Sequence, residues 1–302
     1  MANGMNIEQL NSAYGITGQL KFIAGEGEFP FILISNQSAT ALISVYAGQV
    51  LSFQPADEHE DLLFLSQKSY YDDGKAIRGG IPVCWPWFGA DSSDLQRPHH
   101  GFVRNSLWTV LGTEAVTDLE TKVKLGLIET NNSEELWQQA FALELDISVS
   151  HSLTLELITR NTGHEVFSIT QAFHTYFQVG NIKQVKVLGL EDTRYFDKLD
   201  EDVQKAQIGA VTVSEAVDRI YTDVKNELII DDSAFDRRIR ISSSGSKTTV
   251  VWNPWLATMA DLDGDDYKRF LCVEAGNVAT DAVQIPPGSK SSLLANFQII
   301  RD

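Results

Sequence analysis

Cysteine and long apolar runs are scarce in this sequence. Its 302 residues include two cysteines, Cys84 and Cys272, and both lie within apolar runs. Such placement is typical of reduced, buried thiols rather than of a disulfide framework, so we expect a reducing compartment. No apolar run approaches the ~20 residues that cross a bilayer. Residues 1–9 lack the basic patch and apolar stretch of an export signal. We therefore predict a soluble, cytoplasmic protein without a membrane partner.

Basic side chains are also few, with 24 Lys and Arg against 41 Asp and Glu and a net charge of −17. Non-specific nucleic-acid binding depends on basic groups that neutralise phosphates, so this charge balance excludes it. An apolar fraction of 43% excludes a disordered chain. No Pro, Gly or Ser tract is long enough for an interdomain linker, and we predict one domain over residues 1–302.

Alternation of apolar and polar residues dominates the chain and predicts β-strands. It is clearest from Leu143 to Val149 and from Leu153 to Leu157, which together predict a hairpin with one buried face. Further short strands are predicted at residues 31–35, 107–111, 123–128, 185–190, 228–230, 239–242, 249–252 and 293–299. Many short strands without an internal repeat predict an all-β sandwich or barrel. One short connecting helix, Ser133–Gln139, is predicted because a Ser cap precedes two glutamates.

Metal and nucleophile motifs are incomplete. The alternating carboxylates Asp261, Asp263 and Asp265 resemble a calcium loop. However, Gly264 comes two positions too early, and Cys272 occupies the twelfth position, where a glutamate is needed. The Gly-x-Ser-x-Gly elbow of many serine hydrolases is absent. We therefore predict no metal site.

The segment from Tyr70 to Arg104 is rich in Gly, Pro, Trp and His and lacks strand periodicity. Long irregular stretches in β proteins more often bind ligands than occur without a role. Arg78 and Arg104 lie there among small or apolar neighbours, and arginine binds phosphate or carboxylate oxygens bidentately. A structural role for each arginine, for instance in a pair with Asp72 or Asp73, is the alternative. In so acidic a chain, an anionic substrate requires a local positive pocket, which these arginines can supply.

Residues 170–177 predict a strand with His174 on its polar face beside Thr170 and Tyr176. A histidine that is merely hydrogen-bonded at a sheet surface is the alternative interpretation. Polar neighbours on the same face favour a role in lining a concavity.

Glu274 lies within an otherwise apolar strand-like run at residues 271–277. Burying an ionised carboxylate is costly unless it is paired or used in function. A buried salt bridge to an arginine is the alternative. Gly276 follows closely. Because it has no side chain, it permits either the close approach of a ligand or a bend in the strand. We therefore take Glu274 as a candidate functional group.

Five further sequence motifs occur in a defined order along the chain. They are RGGIPVCWPWFG at 78–89, HGFVRN at 100–105, FHTYF at 173–177, VDRIY at 217–221 and VEAGN at 273–277. Together they resemble the hexose-6-phosphate mutarotases, or glucose-6-phosphate 1-epimerases, a branch of the aldose 1-epimerase family. The matching stretch covers about two thirds of the chain, from Arg78 to Asn277.

This resemblance implies a galactose-mutarotase-like β-supersandwich with few short helices and a cofactor-free isomerase that interconverts the α and β anomers of a hexose 6-phosphate. It implies His174 and Glu274 as the catalytic pair. It also implies a substrate site lined by Arg78, His100, Arg104 and Asp218, with the arginines as phosphate ligands.

The expected partner is a small sugar phosphate, glucose 6-phosphate in the first place, bound by a monomer. In the expected mechanism Glu274 acts as base and His174 as imidazolium acid during ring opening. Two alternatives stay open. One is a mutarotase of unphosphorylated aldoses, in which both arginines are structural. The other is a sugar-phosphate-binding protein without turnover.

Overall fold

β-strands make up most of the regular structure in the computed structural model, which describes residues 6–91, 94–225 and 227–301. Two α-helices lie in these ranges, α1 (Ile7–Tyr14) and α2 (Asn131–Leu136). The strands there are β1 (Leu20–Ala24), β2 (Pro30–Ser35), β3 (Ala39–Ser44), β4 (Gln49–Pro55), β5 (Val83–Cys84), β6 (Thr109–Thr117), β7 (Glu120–Ile128), β8 (Phe141–Val149), β9 (Leu153–Asn161), β10 (Phe167–Ile169), β11 (Gln171–Phe173), β12 (Tyr176–Gln178), β13 (Val185–Leu188), β14 (Arg194–Asp197), β15 (Val203–Ala206), β16 (Val211–Thr212), β17 (Val217–Thr222), β18 (Glu227–Asp232), β19 (Arg237–Ser244), β20 (Thr248–Asn253), β21 (Phe270–Asn277), β22 (Val283–Ile285) and β23 (Lys290–Ile300). The prediction of an all-β protein with few short helices is confirmed.

Two large antiparallel sheets dominate the architecture. The eight-stranded sheet has the order β15-β14-β17-β20-β21-β11-β5, with β12 also paired to β21. The nine-stranded sheet has the order β16-β13-β18-β19-β23-β9-β8-β7-β6. A four-stranded sheet, β1-β2-β3-β4, and the β10-β22 pair complete the fold. The chain therefore builds a layered β-sandwich.

Strand alternation explains how the core forms. Along β8 and β9 every second residue is buried, and Leu145 pairs directly with Leu157. The predicted hairpin is therefore confirmed. Each such leucine contributes about 1.5–3 kcal/mol when it is fully buried. The main hydrophobic cluster extends from Leu10 to Ile299, so segments near both ends of the described chain pack into it.

The helix prediction was displaced by two residues at its start and by three at its end. The observed α2 spans Asn131–Leu136 rather than Ser133–Gln139, because Thr130 and not Ser133 is its N-cap. The Thr130 side chain accepts from the Ser133 N–H while the Ser133 hydroxyl accepts from the Thr130 N–H, which forms a capping box. The helix α1, capped by Asn6, was not predicted. Neither described helix is long and apolar enough to span a membrane.

The irregular segment at residues 70–104 is as poor in regular structure as predicted, with the two-residue β5 and a short 3₁₀ turn from Val103 to Asn105. Gly101 fixes its path at one point. Its φ is 76°, and a Cβ there would lie 1.7 Å from the Trp85 carbonyl oxygen. His100 itself has a φ of 63°, which is unusual outside glycine and concentrates at functional sites. This tight path positions His100 at the face of the eight-stranded sheet.

Candidate active site

A cavity of about 720 Å³ opens beside the eight-stranded sheet. Its walls come from the irregular segment, from the break between β11 and β12, and from β17, β20 and β21. All six residues that the sequence nominated line this one cavity: Arg78, His100, Arg104, His174, Asp218 and Glu274. Residues almost two hundred positions apart in the chain therefore meet around a space of the size that small-molecule sites have.

His174 lies at an interruption of the strand predicted for residues 170–177. β11 ends at Phe173 and β12 begins at Tyr176, so the single-strand prediction was wrong. The backbone N–H of His174 donates to the Pro82 carbonyl at 2.9 Å instead of extending the ladder to β21. The imidazole stacks on the Tyr176 ring, with centroids 4.8 Å apart and planes 8° apart. These contacts hold the ring in one orientation.

Glu274 projects from the middle of β21, where it pairs with Val250 of β20. Its Oε1 lies 3.3 Å from Nδ1 of His174. His174 Nδ1 and Glu274 Oε2 are buried without a hydrogen-bond partner among the described residues. The contact is therefore a close approach rather than a well-formed hydrogen bond. It leaves both groups capacity to bind a ligand.

Burial sets the protonation of this pair, since the residues are 6% and 1% exposed. Burial, followed by the positive charges of Arg104 and Arg78, holds the pKa of His174 well below its usual range. Burial, followed by the negative charge of Asp218, raises the pKa of Glu274 well above its usual range. In the free site the neutral arrangement is favoured, with an uncharged imidazole and a protonated carboxyl group. The pair thus holds one transferable proton.

Arg78 is held by two partners. Its Nε donates to Asp261 at 2.9 Å, and its Nη1 donates to the Tyr176 hydroxyl at 2.9 Å. The alternative pairing with Asp72 or Asp73 was wrong. Asp261 was not predicted as the partner of Arg78, because it was considered only as part of an incomplete calcium loop.

Arg104 keeps much of its hydrogen-bonding capacity free. Its Nη2 donates to the His99 carbonyl at 2.7 Å, while its buried Nε has no partner. Across the described ranges no carboxylate forms a salt bridge with it. A buried, unpaired N–H on a cationic group favours an anionic ligand.

His100 faces the same space in its neutral form. Its Nδ1 accepts from the Gly89 N–H at 3.1 Å, which places the ring proton on Nε2. Burial and then the charge of Arg104 hold its pKa well below the usual range. Its ring also packs 5.4 Å from that of His174. His100 is therefore a neutral donor, suited to a hydroxyl or phosphate oxygen.

Asp218 lies on β17 opposite Trp252. Burial raises its pKa to about 6, against the attraction of Lys198.

Lys198 also lines the cavity, and sequence reasoning missed it because it stands in an ordinary charged surface run. Trp252 was missed as well, and its ring meets that of His174 edge-on at 5.8 Å. A strand was predicted at residues 249–252, but its pairing with β21, which brings Trp252 to the site, is not visible in the sequence.

Gly276 has a different role from the one expected. A Cβ there would lie 2.6 Å from the Gln171 carbonyl oxygen, so the glycine permits β11 to approach β21 rather than a ligand to approach Glu274. The alternative role of Glu274, a salt bridge to arginine, was wrong within the described ranges, because the basic side chain that approaches its carboxyl group there is His174. Trp85 and Trp87 of the RGGIPVCWPWFG motif are buried in the main core.

Ligand atoms of His174, Cys272 and Glu274 all lie within 4.8 Å of one another, so their residue types suit a metal such as zinc. The charge environment opposes a cation there. Arg104 and Arg78 already act against a positive imidazole at the same place. Burial and the neighbouring Glu274 also raise the pKa of the Cys272 thiol well above its usual range, and the thiolate is the metal-binding form. Burial and the neighbouring charges therefore disfavour a metal ion at this cluster.

A second hollow of about 660 Å³ lies on the nine-stranded sheet. Its two lysines, Lys122 and Lys124, are paired with carboxylates of the same sheet. Unlike the first cavity, it brings no buried acid–base pair together.

Comparison with known proteins identifies the fold and the family. A family model described as aldose 1-epimerase matches residues 30–298. The chain belongs to the aldose 1-epimerase family. The family resemblance seen in the sequence motifs is thereby confirmed, and with it the assignment of the protein as an isomerase of the epimerase type.

Relatives of this epimerase cover most of its length. A protein of Escherichia coli (strain K12), named "Putative glucose-6-phosphate 1-epimerase", is 34% identical over 82% of this chain and 83% of its own. A protein of the same name from Cenchrus ciliaris is 34% identical over 86% of this chain and 81% of its own. The crystal structure of YeaD from Salmonella typhimurium, described as a "putative mutarotase", has a TM-score of 0.89 and 28% identity, covering 98% of this chain and 99% of that chain. The predicted mutarotase-like β-supersandwich is therefore confirmed.

Proposed function

We propose that this epimerase interconverts the α and β anomers of a hexose 6-phosphate, with glucose 6-phosphate as the preferred substrate. One observation carries the proposal. A buried His174–Glu274 pair, 3.3 Å apart, shares a single cavity with two arginines. The pair supplies proton transfer, and the guanidinium groups supply affinity for a phosphate. Relatives named for glucose-6-phosphate 1-epimerase activity support this choice of substrate.

Arg104 and Arg78 are the proposed phosphate ligands. Arg104 offers its unpaired Nε, and Arg78 is only partly occupied by Asp261 and Tyr176. Guanidinium groups bind phosphate oxygens by paired, charge-assisted hydrogen bonds. In a chain with a net charge of −17 these groups also overcome the general repulsion of an anion. His100 and Asp218 are the proposed ligands of the sugar hydroxyls.

The proposed reaction opens and recloses the sugar ring. Glu274 as carboxylate takes the proton of the anomeric hydroxyl, and His174 as imidazolium gives a proton to the ring oxygen. The bond from C1 to the ring oxygen breaks, and C1 becomes an aldehyde. After rotation about the C1–C2 bond, the two transfers run in reverse and close the ring on the other face. Protons balance in each direction, because each residue returns to its starting state.

Active-site substitutions test the pair directly. We expect Glu274→Gln and His174→Asn to fold normally and to lose about 10²–10⁴-fold in catalysed anomer exchange, which is the usual contribution of a positioned acid or base. Polarimetry on freshly dissolved α-glucose 6-phosphate measures the rate. His151→Asn, at an exposed histidine paired with Asp57, is the matched control. Near-normal rates in both site variants would refute the assignment.

A sugar panel separates the alternatives. A mutarotase of unphosphorylated aldoses would act on glucose at least as well as on glucose 6-phosphate. A binding protein without turnover would bind the phosphorylated sugar and leave its anomer exchange at the spontaneous rate. We expect faster exchange of glucose 6-phosphate than of glucose.

We further propose that residues 1–302 form one domain that acts as a monomer in the cytoplasm. The continuous main core supports the single domain, and one chain supplies both the His174–Glu274 pair and the two arginines of the cavity, so the proposed reaction requires no second copy. Two buried, unpaired cysteines suit a reducing compartment. Sedimentation analysis of the purified protein tests its oligomeric state.

A further inference from the structure

We propose that an oxyanion bound at Arg104 and Arg78 activates the His174–Glu274 pair, so that the substrate's phosphate is an activator as well as a point of attachment. Inorganic phosphate should then accelerate anomer exchange of an aldose that carries no phosphate. This inference rests on the proposed function. It adds to that function a second role for the same phosphate-binding groups.

The geometry couples the arginines to the imidazole. Nη1 of Arg78 donates to the Tyr176 hydroxyl, and the Tyr176 ring stacks on His174. The His100 ring also packs against His174, and Arg104 binds the carbonyl of the adjacent His99. Each guanidinium group is therefore connected to the buried imidazole through a ring that contacts it or through the neighbour of such a ring.

The other groups around the pair do not stabilise a positive imidazole. Tyr176 and Cys272 are buried, and burial raises the pKa of each well above its usual range, so both stay neutral. Asp218, whose pKa is about 6, carries a negative charge at pH 7, and this charge raises the pKa of Glu274 and so keeps the proton on the carboxyl group. Lys198 adds another positive charge to the cavity wall. Without a ligand, the site thus disfavours a positively charged His174.

A bound dianion would reverse this balance. Its charge offsets the two guanidinium groups that help to hold the pKa of His174 low. The proton on Glu274 can then pass to His174, which gives the carboxylate base and the imidazolium acid that ring opening requires. No proton is gained or lost, since it moves from one member of the pair to the other. At the effective dielectric constants of protein sites, offsetting one nearby unit charge changes the equilibrium constant for this proton transfer by about tenfold or more.

The experiment measures glucose anomer exchange by NMR at pH 7, with and without inorganic phosphate, at constant ionic strength set with sodium chloride. Phosphate itself speeds mutarotation, so the enzyme-free rate at each concentration is subtracted. We expect the enzyme-dependent rate to rise about tenfold and to saturate with phosphate concentration. The same phosphate should inhibit exchange of glucose 6-phosphate by competition.

Two variants complete the design. In Arg104→Gln, phosphate should no longer activate, and glucose exchange without phosphate should rise because a repelling charge is gone. If Arg104 were needed only for folding, its replacement would not raise the rate of glucose exchange. Lys122→Gln removes an equal charge on the other sheet and should keep the full activation.

The outcomes separate this inference from the proposed function. Catalysis of glucose 6-phosphate exchange, with a glucose rate that phosphate leaves unchanged, would overturn the activation and leave the proposed function standing. Absence of catalysed glucose 6-phosphate exchange would overturn the proposed function itself.

Discussion

Replacing Asp218 by Asn should make the protein more stable at neutral pH. Burial raises the Asp218 pKa from 3.8 to about 6, so the folded state disfavours its ionised form. The contribution of this group to the free energy of unfolding is therefore fully present below its unfolded-state pKa of 3.8, and it is lost as the pH rises through its folded-state pKa of about 6. The rise corresponds to a penalty of about 3 kcal/mol at pH 7 and about 1 kcal/mol at pH 4.5. Partial solvent access reduces the neutral-pH value to about 2–3 kcal/mol. Asparagine keeps the shape and does not titrate.

Urea unfolding followed by tryptophan fluorescence from pH 4.5 to pH 8 measures this effect. The stability gain of Asp218→Asn should grow with pH and level off above about pH 7. The matched control is Asp197→Asn on β14. The pKa of Asp197 is lowered overall. Burial acts to raise it, but hydrogen bonds from Lys205 and from the Leu199 N–H outweigh the effect of burial. That variant should therefore lose stability at pH 7. A gain independent of pH, or no gain at pH 7, would refute the reasoning for Asp218.

Two further predictions concern positioning. Tyr176→Phe removes the hydroxyl that accepts from Arg78, so KM for glucose 6-phosphate should rise by about tenfold or more, since a hydrogen bond to a charged group is worth about 1.5–3 kcal/mol. Steady-state exchange kinetics measure it, and an unchanged KM would contradict the link. Gly101→Ala should destabilise the fold by at least about 2 kcal/mol, because the left-handed backbone and the Trp85 carbonyl both exclude a Cβ. Gly74→Ala, with φ of 77° and open space around it, should cost about 1 kcal/mol in the same unfolding assay, and equal losses would contradict the steric argument.

Much of the fold was predictable because strand periodicity is a local property. Apolar residues alternate along β8 and β9, and the observed burial follows them residue by residue. The interruption at His174 was not predictable in the same way. It depends on the Pro82 carbonyl, which accepts the His174 N–H from a segment about ninety residues away.

The candidate site shows the same division. The composition of residues 70–104 pointed to Arg78 and Arg104, since their neighbours are not those of a charged surface, whereas His100 was nominated only by the family resemblance. The partner of Arg78 was not predictable, because Asp261 is brought to it only by the packing of a distant turn. The proton location on the pair also depends on burial and on surrounding charges, which the sequence does not display.

The most direct test compares the anomer exchange of α-glucose 6-phosphate by wild type, His174→Asn, Glu274→Gln and the double variant under one set of conditions. Residues that act as one proton-transfer unit lose activity non-additively. We predict that all three variants show a similar low rate, with the double variant little worse than either single one. Losses that multiply in the double variant, or a single variant that retains near-normal exchange, would contradict the claim that this pair moves the protons.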